Sequence, residues 1–236
     1  MNEKQEAQAT LARRDWQTTV ATWKQFSNEM NLSLIRVRSC DKIPNEGKRW
    51  QQIEYRSYDD IGFVSTDNAG IITGKKSGII VLDVDDQEAF TQACQQNNRS
   101  VPETFTVKTG KGFHYYYNHP QDGNDYRNRS DKAEGYDIRA DGGFIVAPQS
   151  VHPTSGSLYT VVDDRGFTEA PKWLLDKSIG NGEYTKVDRK SKIIRRKGQA
   201  HTHYDLPDVD LHKLSISELT QRLIVKGAED GERSCE

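Results

Sequence analysis

Cysteine is scarce and poorly placed for any framework. Cys40, Cys94 and Cys235 are odd in number and far apart, so they imply neither a set of bridges nor a metal-ligand spacing. Free thiols in a reducing cytoplasm are the expectation. Long apolar runs are also lacking. The longest, Gly78 to Val84, is far too short to cross a bilayer. The first residues carry Glu3 and Glu6 and do not read as a secretory signal. No internal repeat is found. Nor does one sign of charge dominate: the formal net charge is −2, so the whole-protein field does not mark a nucleic-acid binder. What is left is a soluble globular composition, with 34% apolar and 29% charged residues. Its 236 residues are enough for one ordinary domain and a small appendage.

The charge is unevenly spread. Between Lys186 and Lys197 stand Lys186, Arg189, Lys190, Lys192, Arg195, Arg196 and Lys197 against Asp188 alone. Such a run is either a solvated linker or a strap that contacts phosphates. The expected organisation is a folded domain over 1–178, a basic linker over 179–204 and the start of a helical region over 205–236. There Ser215 and Glu218 fit a capping box, with Leu219 and Leu223 on one face. The final residues read as the opening of another element, so the chain is expected to be a fragment of a longer protein.

Apolar periodicity predicts one amphipathic helix over about Ala7 to Met30, with Trp16, Val20, Trp23, Phe26 and Met30 on its buried face. Leu32 to Val37 reads as a strand and Lys42 to Trp50 as a loop. Gly78 to Asp83 is a β-branched run expected to be a buried central strand. Asp86 is a candidate cap for a helix over Gln87 to Gln96. Thr104 to Lys108 and Phe113 to Tyr117 flank a Gly-rich turn and predict a hairpin. A second hairpin is expected from Tyr136 to Ala140 and Phe144 to Ala147, around Asp141-Gly142-Gly143. Ser157 to Val162 adds a strand, and Pro171 to Leu175 a short helix. The pattern is α+β with a mainly antiparallel sheet.

Asp83 and Asp85 stand two apart at the end of the apolar strand, so they share a face. Converging carboxylates repel unless a partner resolves the charge. A divalent cation would do so, since Mg²⁺ and Mn²⁺ favour hard oxygen ligands; the other reading is that the pair caps a turn. His114 leaves the Gly-rich turn beside Lys108, Lys111 and Gly112, where backbone amides and lysines suit a phosphate, although a lone histidine is more often structural. Asp137 and Arg139 share a face of the next predicted strand and either pair with each other or serve as metal ligand and phosphate contact. Ser150 and His152 follow Pro148 in a polar loop and are further candidates for a triphosphate.

Together these residues resemble the prim-pol family of the archaeo-eukaryotic primase superfamily. Its pattern is Asp-x-Asp/Glu, small-x-His and a lone Asp, matched here by Asp83-Val84-Asp85, Gly112-Phe113-His114 and Asp137. KIP with a following Trp50, ITG before the acidic strand, TGKGFHYYY and GYDIRADGGFIVAPQSVH agree with it over about Leu34 to Leu175. Two departures are Gly112, where serine is often found, and Gln149, where a second proline is common. The resemblance implies an RRM-like, mainly antiparallel sheet with an accessory α/β unit. It implies that Asp83, Asp85 and Asp137 hold two Mg²⁺ or Mn²⁺ ions and that His114 contacts the phosphates of an incoming NTP or dNTP; Lys108, Lys111, Gly112, Arg139, Ser150 and His152 remain nucleotide-binding candidates on the reading of the residues given above. It also implies single-stranded DNA as template, nucleotidyl transfer as reaction, and a fused or associated helicase in a phage, plasmid or other mobile replicon.

Two other functions use some of the same features. A metal-dependent glycosyltransferase also employs Asp-x-Asp, but leaves His114 and Asp137 unexplained. A non-catalytic replication-initiator or DNA-binding module is the second, and the intact acidic set argues against it.

Overall fold

The computed structural model describes residues 2–179. The expected basic linker and the capped helix at Ser215 lie outside the described residues, apart from Ile179. Two helices open the chain, α1 (Glu3–Arg13) and α2 (Trp16–Asn28), followed by β1 (Leu34–Val37) and a 3₁₀ turn (Gly47–Gln52). Then come β2 (Asn68–Ile72), β3 (Ile79–Val84), α3 (Gln87–Gln96), β4 (Thr106–Lys108) and β5 (Phe113–Asn118). The rest is β6 (Arg129–Asp131), β7 (Tyr136–Arg139), β8 (Phe144–Val146), β9 (Thr160–Asp163), β10 (Thr168–Glu169) and α4 (Lys172–Ser178). The fold is α+β, as expected.

Two sheets make up the β-structure. The larger runs β6-β7-β3-β5-β4-β9, with β10 added beside β5; the smaller runs β1-β2-β8. All pairs are antiparallel except β10 with β5. β3 is buried on both faces because it is apolar throughout its first four residues. Its alternation feeds two cores. Ile79 and Val81 join Trp23 and Phe26 of α2, Ile71 and Ile145 of the small sheet, and Val107 and Tyr116. Ile80, Leu82 and Val84 point the other way, onto Phe90 of α3 and Leu174 of α4. The large sheet is therefore a middle layer, with the small sheet and α2 on one side and α3 and α4 on the other.

The single helix expected over Ala7 to Met30 is two. Arg14 takes an extended conformation, and Asp15 caps α2 by accepting from the Gln17 amide at 3.0 Å. The break turns Arg14 inward, where its guanidinium donates to the carbonyls of Ser65, Asp67 and Gln149 at 2.7, 2.8 and 3.0 Å. It also lies 5.5 Å from the ring centres of both Trp16 and Trp23.

The second expected hairpin does not form. β7 belongs to the large sheet, whereas β8 pairs with β2 in the small one. The chain changes layers across Asp141-Gly142-Gly143. Gly142 adopts a left-handed φ of +71°, and a Cβ on Gly143 would lie 2.3 Å from Asn128 Oδ1 and 2.7 Å from Thr73 Oγ1. The turn is tight, with the Gly143 amide donating to the Ala140 carbonyl at 3.0 Å, but the glycines use it to pass the chain between layers. The helix at Asp86 is as expected, with Asp86 Oδ1 accepting from the Ala89 amide at 3.0 Å. Cys40 and Cys94 are free thiols. No helix among the described residues is long and apolar enough to cross a membrane.

Candidate active site

Strand pairing sets the site. Asp83 on β3 lies opposite His114 on β5 and opposite Asp137 on β7. Cross-strand partners share a face, and Asp83 follows Ile79 and Val81 on the side of the core shared with the small sheet. A row of Asp137, Asp83 and His114 therefore crosses three adjacent strands where that core ends. His114 Nε2 lies 3.3 Å from Asp83 Oδ1. Arg139 Nη2 donates to Asp137 Oδ2 at 2.6 Å and lies 3.7 Å from Asp83 Oδ2. Opposed carboxylates destabilise a sheet, and Arg139 offsets this from one step along β7. Burial pushes the Asp83 carboxyl up, but His114, Arg139 and Lys42 outweigh it and hold it below the ordinary carboxylate range.

Asp85 lies just beyond β3, where the Gly135 carbonyl receives the amides of both Asp85 and Asp86. Its side chain is 45% exposed, against 14% for Asp83 and 8% for Asp137. Lys132, in the turn between β6 and β7, lies 3.1 Å from Asp137 Oδ1 and 3.8 Å from Asp85 Oδ2. The shorter contact is an ion contact and not a hydrogen bond, because Asp137 Oδ1 is buried without a hydrogen-bond partner. Sequence reasoning missed Lys132 altogether. Its one signal was the polar segment ending in Gly135, which adopts a φ of +78°. Lys42, read only as part of a loop, acts electrostatically on Asp83 and His152.

The residues suit a divalent cation. Their donors are hard carboxylate oxygens, two of them carried by in-register neighbours, and Asp137 Oδ1 is buried without a hydrogen-bond partner. Among the described residues no three acidic, histidine or cysteine side chains are drawn together as a ready-made ligand set, because Arg139 and Lys132 lie against the carboxylates.

The other expected contacts divide. His152 lies beside the row, with its ring centre 5.7 Å from Tyr159, which is itself 5.7 Å from His114. Ser150 is not brought there: it is fully buried, and its hydroxyl accepts from the Ala69 amide at 3.0 Å. Lys108 is not brought there either. Val107 pairs with His114 and shares its face, so Lys108 lies on the opposite face. The amides of Lys111 and Gly112 are taken by Thr109 Oγ1 at 3.2 and 2.9 Å, so they are not aimed at an anion.

A family model described as bifunctional DNA primase/polymerase, N-terminal, matches residues 9–173. The chain belongs to the Prim-Pol family. Among curated proteins, none matches it. Membership puts the chain among DNA primase/polymerase domains, and the acidic row lies inside the matched residues.

Gly112 makes the row possible. A Cβ there would lie 2.0 Å from the Val84 carbonyl oxygen and 3.6 Å from Asp85 Cα. The neighbour is backbone, so the strand itself must move. Gly112→Ala is expected to cost roughly 1–3 kcal/mol of stability. It should lower kcat about 100-fold, because ångström-scale misplacement of reacting groups has that effect. A melt and steady-state kinetics on one preparation check this, and a wild-type kcat would show that the hairpin yields without moving Asp85.

Two buried histidines make stability depend on pH. Burial, with Lys42, Lys111 and His114 adding, pushes the His152 imidazole down to about 4. Burial also lowers His119, against the pull of Asp141. Both bind a proton more readily when unfolded, so stability is present above the unfolded value of about 6.5 and falls as pH drops below it. For His152 alone the loss by pH 5 is on the order of 2 kcal/mol. Denaturant midpoints between pH 7 and 5, above the carboxylate range, are expected to show the decline. A flat profile would show that the imidazoles bind protons as readily in the native protein as in the unfolded chain.

Proposed function

We propose that the chain is a template-directed nucleotidyltransferase, using Mg²⁺ or Mn²⁺ to add NTPs or dNTPs along single-stranded DNA, in the replication of a phage, plasmid or other mobile element. The observation that carries the reading is the in-register row of Asp137, Asp83 and His114, with Asp85 one step further on. Two ions held there would activate the 3′-oxygen and stabilise the leaving pyrophosphate. Asp83, Asp85 and Asp137 would bind them. Arg139 and Lys132 would supply cationic charge for the triphosphate, with Lys111 and His152 further along the same edge. His114 would orient Asp83 through Nε2, and its buried Nδ1 has no partner; that nitrogen is the one left for the nucleotide. Specificity would come from template pairing, so the protein needs backbone contacts more than base readout. A fused or associated helicase is the expected neighbour.

The test is synthesis on a single-stranded template with labelled NTPs or dNTPs, Mg²⁺ or Mn²⁺, with and without primer. Product that follows the template sequence is expected. Template-independent transfer of a sugar would favour a glycosyltransferase, and DNA binding without synthesis under any metal would favour a non-catalytic replication module.

A further inference from the structure

Lys108 and two aromatics of the catalytic hairpin are left over once the acidic row is accounted for. Pairing fixes their side of the sheet: Lys108 with Phe113 and Thr106 with Tyr115, on the face opposite Val107 and His114. Over β3 and β7 that face is packed by Phe90 of α3 and Leu174 of α4. Tyr115, partly buried, packs against the edge of this cluster, and Phe113, at the start of β5, lies outside it. Phe113 is half-exposed and belongs to none of the apolar clusters. Its ring centre lies 6.1 Å from that of Tyr115, tilted by 39°. Tyr115 in turn lines a hollow of about 320 Å³ beside α3, where Gln87, Gln95 and Asn98 present amide groups. Lys108 is exposed and makes no ion pair among the described residues.

We propose that Phe113, Tyr115 and Lys108 form a platform for unpaired nucleotides of single-stranded nucleic acid. A partly exposed ring outside the core can offer a π-face to any base, and a lysine directly across from it is placed for the neighbouring phosphate. The amide groups of the hollow can satisfy the polar edge of an adjacent base, as an apolar protein contact would not require. Position supports the same occupant. Phe113 adjoins His114, so a strand leaving the acidic row around the hairpin tip at Gly110–Gly112 arrives on its ring. The inference rests on the polymerase reading and adds a track on the back of the catalytic hairpin.

The test is anisotropy of a labelled single-stranded oligonucleotide with the full chain over a range of salt. Phe113→Leu, which keeps an apolar strand residue without the π-face, is expected to raise Kd roughly 5- to 100-fold, with the salt slope unchanged. Lys108→Ala should lower that slope by about 0.7, the loss of one single-strand phosphate contact. Phe113→Trp should bind as the wild type does, and it keeps the test open if the leucine variant melts early. An oligonucleotide abasic throughout should bind wild type and Phe113→Leu alike. Wild-type affinity in Phe113→Leu overturns the platform while leaving the polymerase reading standing. Equal losses on the abasic strand overturn stacking. A wild-type chain that binds no single strand at any salt sinks both readings together.

Discussion

Asp137→Asn is expected to abolish measurable synthesis, with a loss of about 10³-fold or more, while leaving the protein at least as stable as before. The two halves of that expectation have one cause. Asp137 lies directly opposite Asp83, and its Oδ1 is buried without a hydrogen-bond partner. Asparagine keeps the shape and can still accept from Arg139. It removes one of two opposed negative charges, which relieves repulsion across the strands. Under the proposed function it would also remove a hard anionic ligand, and electrostatic stabilisation by a bound cation is worth several kcal/mol in the transition state. Asp83→Asn should behave alike in synthesis. The measurements are primer extension and a thermal melt on the same sample. Wild-type extension by either variant would remove these carboxylates from the chemistry. A large drop in melting temperature would mean that the row is a structural ion network.

Arg14→Met is expected to have the largest effect on stability, at the junction of α1 and α2. The Arg14 guanidinium is buried, bonds three carbonyls from two separate loops and lies against two tryptophans. Methionine fills much of the volume but takes the donor from three carbonyls, that of Asp67 buried and those of Ser65 and Gln149 partly so. The expected loss is about 3–5 kcal/mol, combining unsatisfied acceptors with lost cation–π contact. Arg14→Lys should recover only a small part, since an ammonium cannot present the planar fork that reaches all three. Urea midpoints on the three proteins decide the matter. If methionine matches arginine, the desolvation cost of the guanidinium equals its bonds, and the α1–α2 junction is held by the tryptophans alone.

Much of the site was legible because strand alternation is a short-range rule. Gly78 to Asp83 named the central strand, and counting by two put Asp83 on a defined face. The Asp86 cap was readable for the same reason: capping is decided within three residues. What failed depended on the third dimension. Asp141-Gly142-Gly143 has the composition of a hairpin turn, yet it carries the chain between sheets, because β2 offers β8 a partner from far away in sequence. Lys108 was grouped with His114 by proximity along the chain, although parity across the hairpin puts it on the other face. Ser150 was grouped with His152, yet its hydroxyl is spent on Ala69. The aromatic stripe from Trp16 onward was correctly apolar. One buried arginine cut the helix in front of it, and nothing in the periodicity of α2 announces Arg14.

The central position of β3 also bears on how the protein is born. Its neighbours β5 and β7 arrive from later in the chain, and β7, which carries Asp137, arrives last. On a growing polypeptide β3 therefore waits with one unpaired edge after β5 has docked. Its first four residues are wholly apolar, and such an edge readily recruits strands from other chains. The step that supplies the third carboxylate also closes this edge. Ribosomal pausing before β7 emerges would lengthen the interval in which the nascent chain can aggregate, so translation speed through this stretch bears directly on yield.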